Sequence, residues 1–556
     1  MSTTTAAETS ANPGSADVGH DPRTGTAHPA VAHSTPAQVE AALQAAATAA
    51  PALAATAPTE RAVWLDAVAD ALEAHADELA ALADSETALG SPRLPGELAK
   101  AAAQARFYGT VAADGAFLDA TIDHAAGAPP VDLRRVRMPL GPVAVFGASN
   151  FPFGFGVAGH DTCSAIAAGC PVVVKAHPAH PRLSARLAEL VTGALTAAGA
   201  PAGTFGLVAG FEAGLALVDD PRIAAVGFTG SQSGGMALVE RAAARGTGTD
   251  AHGRPARPIP VYAEMGTVTP AVVTTAAAVT RAAEIAAGFV DSMTLGTGQF
   301  CTKPGLLLVP AGSGLVEAVA AEASRRPTGY ALTAGIADAF ATGLADLRGA
   351  GARDAAPGDE ATPGSSPAST GGTGTERLPE RESESAGEST SGEGFAVTPT
   401  VLTAAAADLQ PGSRLLEECF GPLGLVVEYA GTAERDAVLA RLQPSLAAAV
   451  ATAGDGDPET AGLVALLAGQ AGRVVVDGWP TGVVGTWAQH HGGPWPATSR
   501  PEASSVGAAA LDRWVRPVAF QDVPDSALPP AVREADPWGV PRRVDGRLVD
   551  RGGEAS

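Results

Sequence analysis

Gly141-Pro-Val-Ala-Val-Phe-Gly147 and, further along, Cys170-Pro-Val-Val-Val-Lys175 are the two stretches that decide the fold. Each is a short apolar run bounded by Gly or Pro, which is typical of a buried strand. The Ala-rich segment between them, which ends at Gly169, predicts a helix. Because strand and helix alternate, we predict a parallel sheet with helices on both faces.

The same alternation continues along the chain. The predicted elements are a helix from about Arg182 to Ala198, a strand at Phe205–Val208 and a strand at Ile223–Phe228. Ligands of such sheets lie beyond the carboxyl ends of the strands, where Asn150, Lys175 and Thr229-Gly-Ser231 fall. A buried cation is costly without an anionic partner, so Lys175 either binds a phosphate or ribose or simply emerges at its strand end.

A candidate nucleophile lies in Thr294-Leu-Gly-Thr-Gly-Gln-Phe-Cys-Thr-Lys-Pro304. Its Cys301 is surrounded by small, flexible residues, and a thiolate attacks carbonyl carbons well. The same pattern also fits a small core cysteine. If Cys301 reacts, Asn150 could stabilise the oxyanion with its amide, although Asn is also common at turns and helix caps. Glu264, in Tyr262-Ala-Glu-Met-Gly266, is a candidate general base or an exposed strand-end residue.

Two further segments suggest a dinucleotide. Phe228-Thr-Gly-Ser-Gln-Ser-Gly-Gly235 resembles a strand-to-helix turn that holds phosphates. Glu417-Glu-Cys-Phe-Gly-Pro422 could place a carboxylate on a ribose hydroxyl with Phe420 against a ring, or it could be an ordinary loop.

Composition narrows the class of protein. The chain has 556 residues and a net charge of −23, which disfavours nucleic acid and anionic membrane surfaces as partners. Its four cysteines are too few for a disulfide framework and lack paired metal spacing, so we expect no metal and a reducing, cytoplasmic location. We find no uncharged apolar run of the ~20 residues that a membrane-spanning helix needs.

Taken together, these motifs resemble the aldehyde dehydrogenase superfamily from about residue 36 to 548. The residues that carry the resemblance are Asn150, Lys175, Gly230-Ser231, Glu264, Gly298-Gln-Phe-Cys301 and Glu418-Cys-Phe-Gly-Pro422. Other phrases resemble its 2,5-dioxovalerate (α-ketoglutaric semialdehyde) dehydrogenase branch: Gly147-Ala-Ser-Asn-Phe-Pro152, Gln299-Phe-Cys-Thr-Lys-Pro-Gly305, His491-Gly-Gly-Pro-Trp-Pro-Ala-Thr498 and Arg516–Pro524. That branch is also similar to certain NADP-dependent long-chain aldehyde dehydrogenases.

The resemblance implies a role for each matching residue. Cys301 would be the nucleophile, Glu264 the deacylation base, and Asn150 with the Cys301 N–H the oxyanion site. Lys175 would bind the adenosine ribose, while Gly230, Ser231 and Gly235 would line the pyrophosphate turn. Glu418 would hold the nicotinamide ribose with Phe420 against the ring. His491 would lie near the active site or be structural.

The resemblance also bears on the cofactor. NAD-specific relatives often carry a Glu three residues after the lysine, where this chain has Pro178. Without a carboxylate to repel a 2′-phosphate, we expect NADP to serve at least as well as NAD. Lys175, His177 and Arg182 are the candidate phosphate partners.

The implied fold is α/β, with a Rossmann-type parallel cofactor-binding domain, an α/β catalytic domain and a β oligomerisation element. The expected boundaries are a disordered leader at 1–35, an NAD(P)-binding domain at 36–115 and 142–267, a catalytic domain at 268–485 with a disordered insert at 350–394, oligomerisation and bridging elements at 116–141 and 486–525, and a C-terminal tail at 526–556. We expect a homodimer or homotetramer.

The leading hypothesis is oxidation of 2,5-dioxovalerate to 2-oxoglutarate with NADP or NAD. A substrate carboxylate would need an arginine, for which Arg106 is the candidate, although the pattern around it favours a helix-surface residue. A medium- or long-chain aliphatic aldehyde dehydrogenase is the alternative, with Phe151, Phe153 and Phe155 forming an apolar pocket. A catalytically inactive, cofactor-binding relative is the alternative from another class.

Overall fold

The valine-rich segments at 143–146 and 172–175 form neighbouring parallel strands, with Val143 opposite Val172 and Phe146 opposite Lys175. The computed structural model describes residues 15–245, 257–356 and 394–550. The strands are β1 Ala16–Asp17, β2 Val31–Ala32, β3 Ala120–Ala126, β4 Val131–Pro139, β5 Val143–Phe146, β6 Val172–Lys175, β7 Phe205–Val208, β8 Ala225–Gly230, β9 Val261–Met265, β10 Thr269–Val273, β11 Pro304–Pro310, β12 Gly329–Tyr330, β13 Arg353–Asp354, β14 Ala396–Val397, β15 Thr400–Ala405, β16 Leu423–Tyr429, β17 Ala448–Ala451, β18 Val474–Val476, β19 Val515–Gln521, β20 Arg542–Val544 and β21 Arg547–Val549.

The helices lie between these strands and before them. They are α1 Pro36–Ala55, α2 Pro58–Ala74, α3 Ala76–Thr87, α4 Arg93–Asp114, α5 His160–Ala168, α6 Pro181–Ala197, α7 Phe211–Asp219, α8 Gln232–Ala244, α9 Thr275–Thr280, α10 Ala282–Thr294, α11 Leu315–Ser324, α12 Ala334–Gly349, α13 Thr432–Leu439 and α14 Thr460–Ala468. In the three described stretches of chain, no helix is both long enough and apolar enough to span a bilayer.

The first sheet has the order β7-β6-β5-β8-β9, and its strands are all parallel. Alternate residues of β5 pack into different cores: Val143 and Val145 face a cluster that includes α2, α4 and α6, whereas Ala144 faces α1, α7 and α8. The predicted layers are therefore confirmed. The chain order reverses between β5 and β8, and this reversal opens a crevice beyond their carboxyl ends.

A second sheet has the order β13-β15-β16-β11-β10-β17-β18. It is parallel except for the antiparallel edge strand β13. Its strand β11 begins at Pro304, so the loop that carries Cys301 leads directly into it. Cys301 therefore lies between the edge of the first sheet where its strands end and the edge of the second sheet where β11 begins.

The third sheet is mixed and has the order β19-β4-β3-β20-β21. In the segment 116–141, expected to belong to the oligomerisation and bridging elements, β3 and β4 form a hairpin, and β19 from the other such segment pairs antiparallel with β4. Residues 526–556 were expected to form only a tail, but β20 pairs with β3 and β21 pairs with β20. This part of the chain extends the sheet because its short strands find an open edge at β3.

Two other expected boundaries also need correction. Part of the expected disordered leader, residues 15–35, contains the antiparallel pair β1–β2, and Ser34 N–H donates to the Ala209 carbonyl at 2.9 Å. Backbone pairing thus compensates for a composition poor in large apolar residues. The insert expected at 350–394 begins later, because β13 adds Arg353–Asp354 to the second sheet. Residues 1–14 and 357–393 lie outside the described residues.

Candidate active site

Cys301 lies in the turn between α10 and β11, and close backbone packing fixes this turn. Gly298 has φ +67°, and a Cβ there would lie 2.3 Å from the Gly421 carbonyl, so only glycine fits. The Gln299 side chain also anchors the turn: its Nε2 donates to the Tyr330 carbonyl at 3.1 Å, and its Oε1 accepts from the Leu332 N–H at 2.9 Å. The nucleophile candidate is therefore held on a preorganised loop.

Glu264 and His491 meet at Cys301. His491 Nε2 lies 3.1 Å from Glu264 Oε2 and 3.7 Å from Cys301 Sγ. The Ser505 hydroxyl donates to the same Glu264 oxygen at 2.8 Å. Both partners of the Glu264–His491 pair are buried, with side chains 3% and 1% exposed. The His491 side chain thus contacts both Glu264 and the Cys301 thiol, which places it at the expected active site, and its role there stays a prediction.

Electrostatics give these groups opposite resting states. Burial raises the pKa of Glu264, but the neighbouring His491 and the hydrogen bonds from His491 and Ser505 outweigh it, so the pKa lies below its ordinary value. Burial, and then the charge of Glu264, raise the pKa of Cys301 well above its ordinary value. The carboxylate is therefore ready to accept a proton, while the resting thiol holds one. A cavity of about 20 Å³ beside Glu264, His491 and Ser505 has room for one water molecule.

Asn150 follows β5 and is brought against the Cys301 loop. Its Nδ2 donates to the Gln299 carbonyl at 3.0 Å. Its own carbonyl accepts from Arg93 Nη2 at 2.5 Å. Loops from the two sheets are thereby tied together beside the thiol, as the sequence predicts, and the oxyanion role of Asn150 stays a prediction.

A groove of about 550 Å³ runs from the crevice to the thiol. Its walls include Gly147, Asn150, His177, Gly230, Ser231, Gly234, Cys301, Glu418 and Phe420. The Ser231 hydroxyl caps α8 by accepting from the Gly234 N–H at 3.2 Å, so the N-terminus of this helix faces the groove. Such an end, with its free N–H groups, suits a pyrophosphate. The shape and lining therefore fit a dinucleotide.

Gly235 has a different position from the expected one. Gly234, rather than Gly235, lines the groove. A Cβ on Gly235 would lie 2.7 Å from the Met265 sulfur, so this glycine lets α8 approach β9 closely. Its contribution to the groove is through packing.

Lys175 ends β6 and is not part of the groove lining, whereas His177, two residues further on, is. Burial lowers the pKa of Lys175, and the charge of Asp17 opposes that effect. Lys175 packs against Gly214 of α7, where a Cβ would lie 3.1 Å from its Cγ. His177 lines the groove, and burial holds its pKa well below the ordinary value, so its ring is neutral at neutral pH.

Near Cys301, burial raises the pKa of Glu418 to about 7. The buried ammonium of Lys303 partly offsets this rise, and its Nζ donates to the carbonyls of Cys419 and Leu423 at 3.2 and 3.0 Å. Glu418 is thus a carboxyl group whose charge changes within the physiological range.

Arg106 does not reach this site. It lies on the outer face of α4, and its guanidinium donates to Glu73 at 2.7 Å and to Asp70 at 2.5 Å. The substrate role expected for Arg106 was wrong, because its partly exposed side chain is already paired with two surface carboxylates. Phe151, by contrast, is at the site, with its ring centre 4.9 Å from that of Phe300.

Sequence reasoning missed three residues at the site: Arg93, Lys303 and Ser505. Lys303 stands in the quoted cysteine segment, so its position was a usable signal. Ser505 and Arg93 lie outside every quoted motif, and only the fold brings them to Glu264 and Asn150.

The chain belongs to the aldehyde dehydrogenase family, whose model matches residues 12–337. It is an NAD(P)-dependent oxidoreductase that acts on aldehydes. It is 41% identical over 534 residues to alpha-ketoglutaric semialdehyde dehydrogenase 2 of Azospirillum brasilense, covering 92% of each chain. It is 35% identical over 521 residues to the alpha-ketoglutaric semialdehyde dehydrogenase of Acinetobacter baylyi, covering 92% of this chain and 91% of the other.

The fold is shared with solved structures. The 1-pyrroline-5-carboxylate dehydrogenase from Thermus with bound NAD matches with a TM-score of 0.72 at 21% identity, over 91% of this chain and 90% of that one. The expected family and α/β fold are therefore confirmed.

Proposed function

We propose that this chain oxidises 2,5-dioxovalerate to 2-oxoglutarate with NADP or NAD. The observation that carries the chemistry is the meeting of Cys301, Glu264 and His491 at the inner end of the groove. The choice of substrate rests on similarity over nearly the whole chain to two proteins named alpha-ketoglutaric semialdehyde dehydrogenases.

In the first half-reaction, Cys301 Sγ attacks the aldehyde carbon. The thiol proton passes to the Glu264–His491 pair, of which His491 Nε2 lies 3.7 Å from the sulfur. The Asn150 amide and the Cys301 N–H stabilise the oxyanion of the thiohemiacetal. A nicotinamide held beside Glu418 and Phe420 would supply the acceptor for the hydride of the former aldehyde carbon, which would leave that carbon oxidised and bound to the Cys301 sulfur as a thioester.

In the second half-reaction, Glu264 removes a proton from water, and the resulting hydroxide attacks the thioester carbon. The proton first taken from the thiol is released to solvent before Glu264 accepts one from water. The C–S bond then breaks, the carboxylic acid leaves, and the Cys301 thiolate takes the water-derived proton from Glu264. Glu264 is ionised near neutral pH because its pKa lies below the ordinary value, so its carboxylate is free to accept a proton. Because Glu264 is available to activate water, we expect transfer of the acyl group to water and not to coenzyme A.

For the cofactor, we propose that NADP serves at least as well as NAD, since Pro178 leaves no carboxylate at the position where NAD-specific relatives often carry one. Lys175, His177 and Arg182 are the proposed partners of the 2′-phosphate, with Glu418 and Phe420 at the nicotinamide end. We also propose that the domains have the roles and boundaries expected from the sequence, except at residues 15–35, 353–354 and 526–550. A kcat/KM with NAD more than about tenfold above that with NADP would contradict the cofactor preference.

For assembly, we propose a homodimer or a dimer of dimers formed through the third sheet. A surface cavity of about 450 Å³ beside β4 and β19 has apolar walls that include Val518, Phe520 and Trp538, which suits burial against another subunit. A monomer in light scattering would contradict this. We also propose a cytoplasmic location, which the four free thiols suit.

The deciding experiment compares kcat/KM for 2,5-dioxovalerate, hexanal and decanal, with Cys301→Ala as the inactive control. We expect a strong preference for the dioxo acid. The second candidate function, oxidation of aliphatic aldehydes, is favoured by the ring contacts of Phe151 with Phe155 and Phe300, at 5.8 and 4.9 Å. Preference for decanal would select it, and absence of Cys301-dependent turnover would select the inactive relative.

A further inference from the structure

A buried cation that the mechanism does not use lies beside the reacting groups. Arg93 is the first residue of α4, and its side chain is 15% exposed. Its guanidinium carbon lies 4.9 Å from the ring centre of Phe151 and 4.5 Å from that of Phe300. Phe151 follows Asn150 in sequence and Phe300 precedes Cys301, so the two aromatic rings hold this cation between the oxyanion and nucleophile loops.

The hydrogen bonds of Arg93 are incomplete. Nη2 donates to the Asn150 carbonyl at 2.5 Å. The nearest carboxylate, Glu97, stays 3.7 Å away, because its Oε1 accepts from the N–H groups of Phe153 and Gly154 at 2.9 and 3.0 Å. Within the described part of the chain, Arg93 Nη1 and Glu97 Oε2 are both buried without a hydrogen-bond partner.

This arrangement leaves a guanidinium with unused donor capacity. Glu97 supplies compensating charge but not a bidentate pair, since its geometry is fixed by the backbone after Asn150. A desolvated guanidinium of this kind is complementary to a carboxylate, which accepts two parallel N–H bonds. Surface arginines of α4 differ: Arg106 already has two carboxylate partners.

We propose that Arg93 binds the carboxylate at the far end of the substrate, and so selects short aldehyde acids over neutral aldehydes. This inference rests on the proposed function, because it concerns a substrate that carries a carboxylate. Binding there would hold one end of the molecule next to Phe151 and Phe300 and leave the aldehyde end for Cys301. Phe151 and Phe300 would flank the carbon chain between the two ends.

The test compares Arg93→Met and Arg93→Lys with the matched control Arg106→Met, which removes a surface arginine from the same helix. The quantity measured is the ratio of kcat/KM for 2,5-dioxovalerate to kcat/KM for hexanal. We expect Arg93→Met to lower this ratio by about 10²-fold and Arg93→Lys to lower it less, because Lys keeps the charge without the bidentate geometry. Arg106→Met should leave the ratio as in the wild type.

A purely positioning role would give a different result. Because Arg93 also holds the Asn150 carbonyl, its loss could slow both substrates, and an equal fall with an unchanged ratio would overturn the inference. Inhibition by 2-oxoglutarate of hexanal oxidation adds an independent readout: its Ki should rise at least about tenfold in Arg93→Met. Thermal melting of each variant establishes that the fold is retained.

Failure of the proposed substrate is a separate outcome. If the wild type prefers hexanal to 2,5-dioxovalerate, the proposed function fails, and the pair succinic semialdehyde and butanal then tests Arg93 alone. A carboxylate preference that disappears in Arg93→Met would support the inference with another acid as substrate. A wild type that shows no carboxylate preference in either pair would overturn it.

Discussion

Removal of the His491 side chain tests the central feature of the site, its contact with Glu264. His491 Nε2 lies 3.1 Å from Glu264 Oε2, and both side chains are almost fully buried. A hydrogen bond to a charged group is worth about 1.5–3 kcal/mol, and about 1.36 kcal/mol corresponds to one pKa unit. His491→Ala should therefore cost the ionised form of Glu264 about 1.5–3 kcal/mol of stabilisation and raise its pKa.

The sign of the effect follows from the role of Glu264. The base works when ionised, and burial favours its protonated form once His491 is gone. The acid limb of the pH–rate profile should therefore move to higher pH, so the loss of activity is largest at the acid end and shrinks as the pH rises. Initial rates of reduced-cofactor formation from about pH 4 to pH 9 measure the direction of this shift.

His491→Gln separates holding from proton transfer. The Gln amide can still donate to Glu264, but it cannot take a proton from Cys301. If His491 only holds Glu264, the Gln variant should keep the acid limb and the rate of the wild type. If it also accepts the thiol proton, the rate of the first, hydride-releasing turnover should fall at every pH. An unshifted acid limb in His491→Ala would refute the reasoning.

Three further outcomes are expected. Because burial raises the pKa of Glu418 to about 7, the KM for NADP should rise as the pH falls below neutrality. Glu418→Gln should remove this pH dependence. A wild-type KM that is flat from about pH 6 to 8 would contradict the assignment of Glu418 to the cofactor site. Gly298→Ala should lower the melting temperature more than Gly312→Ala. Both glycines have positive φ, but a Cβ at position 298 would meet the Gly421 backbone, while no described atom lies within 4 Å of a Cβ at position 312. Equal melting temperatures would argue against this packing. Zn²⁺ should inhibit reversibly, with activity restored by a chelator, because ligand atoms of Cys301, Glu264 and His491 lie within 4.8 Å of one another; insensitivity to Zn²⁺ would show that their geometry is unsuited to a metal.

Several local elements could be predicted because their causes are local. A run of valines bounded by Gly and Pro can bury both faces only as a central strand, and β5 and β6 lie where the pattern puts them. The glycines around Cys301 and Cys301 itself could also be predicted from the sequence, because they lie together in one short segment. Composition was a poorer guide at the ends of the chain, where backbone pairing with distant strands orders segments such as β1 and β20 that have little apolar content.

By itself, the sequence determined the parallel sheet, the nucleophile loop and the aldehyde dehydrogenase class, because short-range patterning and motif order carry that information. Only the tertiary structure decided which distant groups act together. Cys301 and His491 are 190 residues apart in sequence but 3.7 Å apart in space. On α4, the tertiary structure places Arg106 outside the site, against Glu73, and Arg93 at the site, against Asn150. Which face of a helix meets the reaction centre depends on packing between sheets, and the local sequence does not encode that choice.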